Sequence, residues 1–136
     1  MATKIFVNLP VQNLAQSIQF FKGLGYKFNK QFTDDAAACM VISDDIYAML
    51  LTHDKFNQFT NKKIVDAKRN TEVLVCLSAD SRNNVDELLD KALAGGAAEY
   101  REPQDYGFMY GRSFEDLDGH IWEVMWMDPS AIKQSN

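Results

Sequence analysis

Apolar and polar residues alternate at the start of the chain. In TKIFVNLPV, residues 3–11, the odd positions from 5 carry Ile, Val or Leu and the even positions carry Phe, Asn and Pro, which is the two-residue period of a β-strand. Asn13 and Gln16 then form the pattern of a helix capping box. Apolar residues follow at helical spacing as far as Leu24, and Gly25 ends the helix. The first unit therefore reads strand, then helix.

Three short extended segments follow, at residues 26–33, 36–43 and 46–52. Pairs of aspartates separate them and mark turns. The pattern of residues 3–52 is therefore βαβββ. Residues 53–70 show no strong period beyond a possible helical turn around 53–59, and we interpret them as a connector or a lid.

The second half of the chain repeats the first. An apolar strand from Thr71 precedes a helix capped by Ser81 and ended by Gly95 and Gly96, and three extended segments follow, near 98–101, at 107–115 and at 120–127. A shift of 71 positions superposes four helix residues on their counterparts: Leu14 on Val85, Ile18 on Leu89, Phe21 on Ala92 and Gly25 on Gly96. The sequence thus predicts an α+β fold of two βαβββ modules, residues 3–52 and 71–127, within one domain spanning 1–136.

Length and composition narrow the class of protein. A chain of 136 residues with 46% apolar and 24% charged residues is typical of a globular domain and argues against disordered, fibrous and coiled-coil proteins. The net charge of −5 argues against a nucleic-acid partner, which needs a basic surface. No segment reaches the length of a membrane span, and the start of the chain lacks the features of a signal peptide. We therefore expect a cytoplasmic protein with no membrane partner.

Cys39 and Cys76 both lie in apolar runs. Neither belongs to a CxxC motif or to a Cys/His spacing of the kind that holds zinc. We predict that both are buried free thiols.

Two stretches resemble a known family. VNLPVQNLAQSIQFFKGLGYKF, residues 7–28, and FEDLDGHIWEV, residues 114–124, are similar to the first strand and helix and to the last turn and strand of the vicinal oxygen chelate superfamily. This superfamily includes glyoxalases, bleomycin-resistance proteins, fosfomycin-resistance enzymes and extradiol dioxygenases. The resemblance covers roughly residues 3–127. It implies that the two modules curl into a mixed-sheet cup that holds a small molecule, and that the protein forms a homodimer.

The resemblance also implies positions for metal ligands. In the metal-dependent members, His, Gln and Glu side chains from four strands hold a divalent ion that binds two neighbouring oxygens of the substrate. In this sequence Phe6 stands at the first position and Met49 at the second, and neither residue suits such an ion. Asn8 shares a face with Phe6 but is a weak ligand. Either Glu72 or Leu74 occupies the third position.

Glu123 alone matches its ligand position, four residues after Gly119. Strand alternation places it on the face of Ile121 and Met125, which favours an inward position, although a carboxylate at a strand end is often on the surface. In a lined pocket it would act as a general acid or base. His120 is out of phase with Glu123, so we expect it to pack at the turn. We assign no metal ligand, and at most a weakly bound divalent ion is expected.

Tyr110 and Arg112 are candidate ligand contacts. They lie in EPQDYGFMYGRSF, residues 102–114. Aromatic and Met side chains in this stretch surround two glycines, and Arg112 is its only cation. Such a set suits an organic anion or a planar ligand. The alternative is that both residues only pack a hairpin.

Three functions remain. The first is a binding protein of the bleomycin-resistance type that holds a small organic molecule without the full metal site. The second is a metal-dependent lyase of the glyoxalase type, similar to lactoylglutathione lyase. The third is a metal-free enzyme in which Glu123, with Glu72 as a possible helper, is the acid or base. The missing imidazoles favour the first and argue most strongly against an oxygenase.

Overall fold

The computed structural model describes residues 3–131. The chain divides into two compact units between Val65 and Asp66, a point inside the segment interpreted as the connector. No helix within the described range is long and apolar enough to cross a membrane.

The first unit contains a helix and a four-stranded mixed sheet. Its sheet order is β1-β4-β3-β2, with β1 parallel to β4 and the other neighbours antiparallel. The elements are β1 Ile5–Val11, α1 Leu14–Gly23, β2 Lys27–Asn29, β3 Ala37–Val41, β4 Ile46–Thr52 and the single helical turn α2 His53–Phe56.

Helix α1 begins and ends as the sequence predicts. The Asn13 side chain accepts a hydrogen bond from the Gln16 backbone N–H over 3.1 Å, which caps the first turn. Gly25 follows the helix with a φ of +106°, a left-handed conformation that glycine adopts without strain. The apolar side of α1 is buried, as are Leu9 and Val11 of β1. The even positions of β1 thus lie on the opposite face of the sheet.

The extended segment predicted at residues 26–33 is shorter in the structure. Only Lys27–Asn29 pairs as a strand, and Lys30–Phe32 forms a turn of 3-10 helix. The Asn29 side chain accepts a hydrogen bond from the Gln31 N–H over 2.9 Å. This local bond favours the turn over a continued strand.

The second unit repeats the arrangement of the first and has one additional strand. Its sheet order is β5-β9-β8-β6, β7 also pairs with β8, and only β5 and β9 are parallel. The elements are β5 Leu74–Ser78, α3 Arg82–Ala94, β6 Ala98–Glu99, β7 Gln104–Asp105, β8 Met109–Glu115 and β9 Ile121–Met127. The α+β class and the two βαβββ modules are confirmed. Strand β7 was not predicted, and β5 starts three residues later than predicted.

The core of the second unit lies between α3 and one face of its sheet. Ser81 caps α3 by accepting a hydrogen bond from the Asn84 N–H over 3.0 Å. The buried side chains are Val85, Leu89 and Ala92 on the helix and Phe114, Trp122 and Val124 on β8 and β9. Because side chains alternate along a strand, residues 111, 113, 123 and 125 lie on the other face.

Arg82, the first residue of α3, binds the β7–β8 hairpin. Its guanidinium donates two hydrogen bonds to the Asp105 carboxylate, at 2.9 and 2.6 Å, and lies 5.0 Å from the Tyr110 ring centre and 5.5 Å from that of Trp126. The Gly107 N–H also donates to Asp105, over 2.9 Å. The hydrogen bonds from Arg82, and next that from Gly107, lower the pKa of Asp105 to about 2.

Acid is expected to release this hairpin only at very low pH. Because the folded pKa of Asp105 is depressed, the contact is complete above the ordinary value of about 3.9 and is lost as the pH falls through about 2. The chemical shift of the Gly107 amide, followed by NMR, should therefore titrate with a midpoint near pH 2. In Arg82→Ala the midpoint should move up towards the ordinary value. A midpoint that does not depend on Arg82 would contradict the assignment.

Candidate functional site on the second sheet

A small pocket lies on the face of the second sheet that points away from α3. Its volume is about 70 Å³. Three strands contribute to its floor, and residues of the segment between β6 and β8 form its rim. The lining of the floor includes Cys76, Met109, Gly111, Arg112, Ser113, Glu123 and Met125, and Arg101, Glu102 and Gln104 lie at the rim.

Three chemically different side chains form a row across the floor. In the strand register, Cys76 of β5 pairs with Glu123 of β9, and Glu123 pairs with Ser113 of β8. Neighbouring strands are about 4.8 Å apart, and directly paired residues place their side chains on the same face. A thiol, a carboxylate and a hydroxyl therefore stand side by side. We call these three residues the polar row.

The Ser113 hydroxyl has no hydrogen-bond partner within residues 3–131, although the residue is only 3% exposed. Leaving a buried hydroxyl unpaired costs stability, and most buried polar groups in proteins are paired. Ser113 lines the pocket. The pocket therefore borders a buried hydroxyl that no residue within 3–131 uses.

Glu123 is half-buried and lines the same pocket. The described part of the chain offers it no hydrogen bond or ion pair. An unpaired carboxylate in a pocket attracts a hydrogen-bond donor or a positive charge. Glu123 is therefore available to a ligand.

Cys76 is exposed, so the prediction that both thiols are buried is wrong for this one, whereas Cys39 is buried as predicted. Cys76 lies on an edge strand, on the face that α3 does not cover. Partial desolvation raises the pKa of its thiol, and the negative charge of Glu123 adds to that rise. The neutral thiol is thus favoured over a nucleophilic thiolate.

Gly111 keeps the pocket open between two thioethers. A methyl group added at Gly111 would lie 3.5 Å from Cβ of Met125 and 3.8 Å from the sulfur of Met109, which are ordinary contact distances. An alanine would therefore fit the strand and fill part of the pocket.

The side chains of Tyr110 and Arg112 bond to residues on the other face of the sheet, with α3, although Arg112 also contributes to the lining of the pocket. Arg112 donates to Asp86 over 3.0 Å and makes two bonds of 3.1 Å to Glu99, while the Tyr110 hydroxyl donates to Asp86 over 2.7 Å. The side chain of Arg112 is 13% exposed. The Tyr110 hydroxyl and then Arg112 lower the pKa of Asp86. The protein's own carboxylates thus occupy the donors that the sequence suggested for a ligand.

The first-module candidates lie together on one sheet face. Phe6 pairs with Tyr47 and stacks on its ring at 4.8 Å, and Asn8 pairs with Met49 on the same face. Phe6 is 52% exposed. These side chains present an aromatic and thioether surface with one amide.

Glu72 and Leu74 do not join the polar row. Strand β5 begins at Leu74, so Glu72 precedes it and is exposed, and Leu74 pairs with Ile121 at the end of the strand. The residue opposite Glu123 is Cys76. The pairing of β5 with β9 sets this neighbour, and no local pattern in the sequence reveals it.

The turn before β9 positions Glu123. The buried Asp116 carboxylate accepts hydrogen bonds from the backbone N–H groups of Asp118 and His120 and from the Trp122 indole, at 2.9, 3.0 and 2.9 Å. Burial raises the pKa of Asp116, and the charge of His120 and the Trp122 N–H oppose that rise. These bonds hold the first residues of β9 in place.

The donor set does not fit the metal site that the family resemblance implies. Phe6 has no donor atom, and the Met49 thioether is a soft ligand that suits neither magnesium nor manganese. Within residues 3–131, no group of three or more His, Cys, Asp or Glu side chains is placed to hold an ion. Of the implied positions that the structure describes, that of Glu123 carries a carboxylate, and Asn8 adds only a weak amide oxygen.

Comparison with known proteins confirms the family resemblance. Residues 3–43 match the family model described as bleomycin resistance protein-like N-terminal. A search of curated proteins gives no match. The chain is 28% identical to a hypothetical protein from S. aureus, with a TM-score of 0.78 over 93% of this chain and 94% of that one.

Two further structures show the same fold at lower identity. A glyoxalase/bleomycin resistance protein/dioxygenase family enzyme from Burkholderia phytofirmans has a TM-score of 0.76 at 15% identity, over 93% of this chain and 99% of that one. The fosfomycin resistance protein from Listeria monocytogenes has a TM-score of 0.67 at 15% identity, over 99% and 96% of the two chains. The fold is that of glyoxalase/bleomycin-resistance proteins.

Proposed function

We propose that this chain, which has the glyoxalase/bleomycin-resistance fold, binds a small organic molecule at the pocket of its second sheet. Binding does not depend on the metal site of the family. The observation that carries the proposal is the polar row, where a carboxylate and a buried hydroxyl that have no partner among residues 3–131 line one pocket.

The size and lining of the pocket support a ligand that enters by one end. Sites for whole drug-sized molecules have volumes of roughly 300 Å³ or more. A pocket of about 70 Å³ instead accepts one functional group of a larger molecule. The two thioethers add a polarisable, adaptable surface. A mostly apolar lining with a few polar groups is typical of small-molecule sites.

A metal-free enzyme is the second candidate. No residue within 3–131 pairs with Glu123, so its carboxylate is available to a bound molecule as an acid or base, and Ser113 lies beside it as a donor to a substrate oxygen. The metal-dependent lyase has weaker support because Phe6 and Met49 replace ligands. We also expect a cytoplasmic homodimer, and sedimentation of the purified protein would establish its oligomeric state.

Filling part of the pocket should weaken binding without unfolding the protein. Gly111→Ala places a methyl group between Met109 and Met125 at ordinary contact distances, so we expect unchanged or slightly higher stability. A fragment screen by NMR should find compounds that shift the amide signals of Ser113 and Glu123. Gly111→Ala should lower the affinity for these compounds about tenfold or more.

Glu123→Gln tests the carboxylate. The stability of the protein should stay nearly the same or rise, because the charge has no partner within the described chain. The affinity for fragments that bind through the carboxylate should fall. Glu115→Gln is the matched control, since Glu115 is on the neighbouring strand β8 but does not line the pocket. A large loss of stability in Glu123→Gln would show a structural role instead.

A stoichiometric ion that raises the melting temperature, in a screen of nickel, zinc, manganese and magnesium, would contradict metal-independent binding.

A further inference from the structure

We infer that the pocket recognises a carboxamide group, whose N–H donates to Glu123 while its carbonyl oxygen accepts from the Ser113 hydroxyl. The inference rests on the proposed function and names the chemical class of the ligand. It uses Ser113, which the sequence analysis did not single out.

Glu123 and Ser113 differ in the hydrogen-bond partners that they can use. An ionised carboxylate only accepts hydrogen bonds, so the Glu123 side chain in that form needs a donor. The Ser113 hydroxyl can donate as well as accept, and it is buried and without a partner among residues 3–131. A ligand group that uses both the acceptor atoms of Glu123 and the donor of Ser113 carries a donor and an acceptor on neighbouring atoms.

The register sets the spacing of these two contacts. Ser113 and Glu123 are directly paired across the antiparallel strands β8 and β9. Paired side chains in this geometry have Cβ atoms about 5 Å apart. The nitrogen and the oxygen of one amide are close enough to meet both side chains from a single planar group.

The other lining residues fit the rest of such a ligand. Met109 and Met125 both lie close to Gly111 in the lining, where a flat ring attached to the amide would contact the Met109 sulfur. A free carboxylate would meet the negative charges of Glu123 and of Glu102 at the rim. Of the two arginines in the lining, Arg112 is already bonded to Asp86 and Glu99, so Arg101 is the cation that would attract such a ligand. An amidinium would pair with Glu123 but could only donate to Ser113, so the hydroxyl hydrogen of Ser113 would stay without an acceptor.

Three small aromatic probes separate these possibilities. Benzamide, benzoate and benzamidine share one ring and differ only in the polar group. We expect benzamide to shift the amide signals of Ser113 and Glu123 in titrations of the whole protein followed by NMR, and benzoate not to do so at the same concentration. Binding of benzoate at the polar row, or of benzamidine with no loss in Ser113→Ala, would overturn the inference.

Ser113→Ala is the decisive variant because a structural serine and a ligand-binding serine respond in opposite ways. If the hydroxyl serves only a ligand, its removal leaves the melting temperature of the free protein unchanged or raised, because an unpaired buried polar group is lost. Benzamide binding should nevertheless weaken about three- to tenfold. A lowered melting temperature with unchanged binding would show that water or the protein itself holds the hydroxyl.

Failure of this inference is distinguishable from failure of the proposed function. If benzamide does not bind but other fragments shift the pocket signals and lose affinity in Gly111→Ala, the pocket binds ligands of another class. If no fragment shifts these signals, both the inference and the proposed site are wrong. Ser78→Ala, on the exposed end of β5, is a control that should change neither readout.

Discussion

Gly119→Ala is expected to destabilise the second unit by about 4 kcal/mol. Gly119 is buried in the turn before β9 and has a φ of +92°, a left-handed conformation that strains any residue with a Cβ atom. That Cβ would also lie 2.7 Å from the backbone nitrogen of Lys68 and 2.8 Å from its Cα. Because the clash is with backbone, it cannot be relieved by rotating a side chain.

Gly107→Ala is the matched control for this prediction. Gly107 also has a positive φ, +80°, but nothing lies within 4 Å of the Cβ it would gain. The control therefore measures conformational strain alone, and we expect a loss of about 1 kcal/mol. Both tryptophans of the chain, Trp122 and Trp126, lie in the second unit, so urea unfolding followed by their fluorescence reports on that unit. Equal losses in the two variants would contradict the close approach of Lys68.

Asp116→Ala is expected to cost about 4 kcal/mol. The change removes both oxygens from a buried carboxylate and leaves three N–H donors without their acceptor, two of them in the backbone. Unpaired buried donors are costly because water cannot replace the lost partner without opening the turn. The same urea titration measures the loss. In Asp128→Ala, where an exposed carboxylate accepts from Ser130, the loss should be much smaller.

Asp116→Asn separates the two oxygens of this carboxylate. The amide oxygen can still accept from the backbone of Asp118 and His120, but the amide nitrogen then faces the Trp122 indole N–H, donor against donor. We expect an intermediate loss of stability. Adding Trp122→Phe removes that conflict, so the double variant should lose less stability than the sum of the two single changes. Strict additivity would show that the indole bond contributes little.

Much of the architecture was predictable from the sequence because its signals are local. The capping residues Asn13 and Ser81, the glycines after each helix and the alternation of β1 act within a few residues, and the shared offset of the two helices revealed the repeat. These signals depend on backbone geometry and side-chain periodicity, which do not require knowledge of the partners. For the same reason they placed α1 and α3 correctly.

The candidate site was only partly predictable. Strand alternation put Glu123 on the face of Ile121 and Met125, but the residues beside it depend on how β5 and β8 are aligned with β9. That alignment brings Cys76 and Ser113 next to Glu123 and leaves Glu72 outside the strand. Neither neighbour has a local signal, since a cysteine in an apolar run and a serine in a strand are ordinary.

The face of the β8 residues was likewise decided by tertiary contacts. Arg112 finds Asp86 26 positions earlier in the chain and Glu99 13 positions earlier, and both carboxylates lie on its side of the sheet. A sequence shows that an arginine is present but not which acidic residues will reach it. By itself, this sequence determined two strand–helix–sheet modules and one carboxylate at a strand face, because periodicity and capping are properties of neighbouring residues. Only the tertiary structure decided which side chains meet that carboxylate and which donors stay unpaired, because strand register and burial join residues that are far apart in the chain.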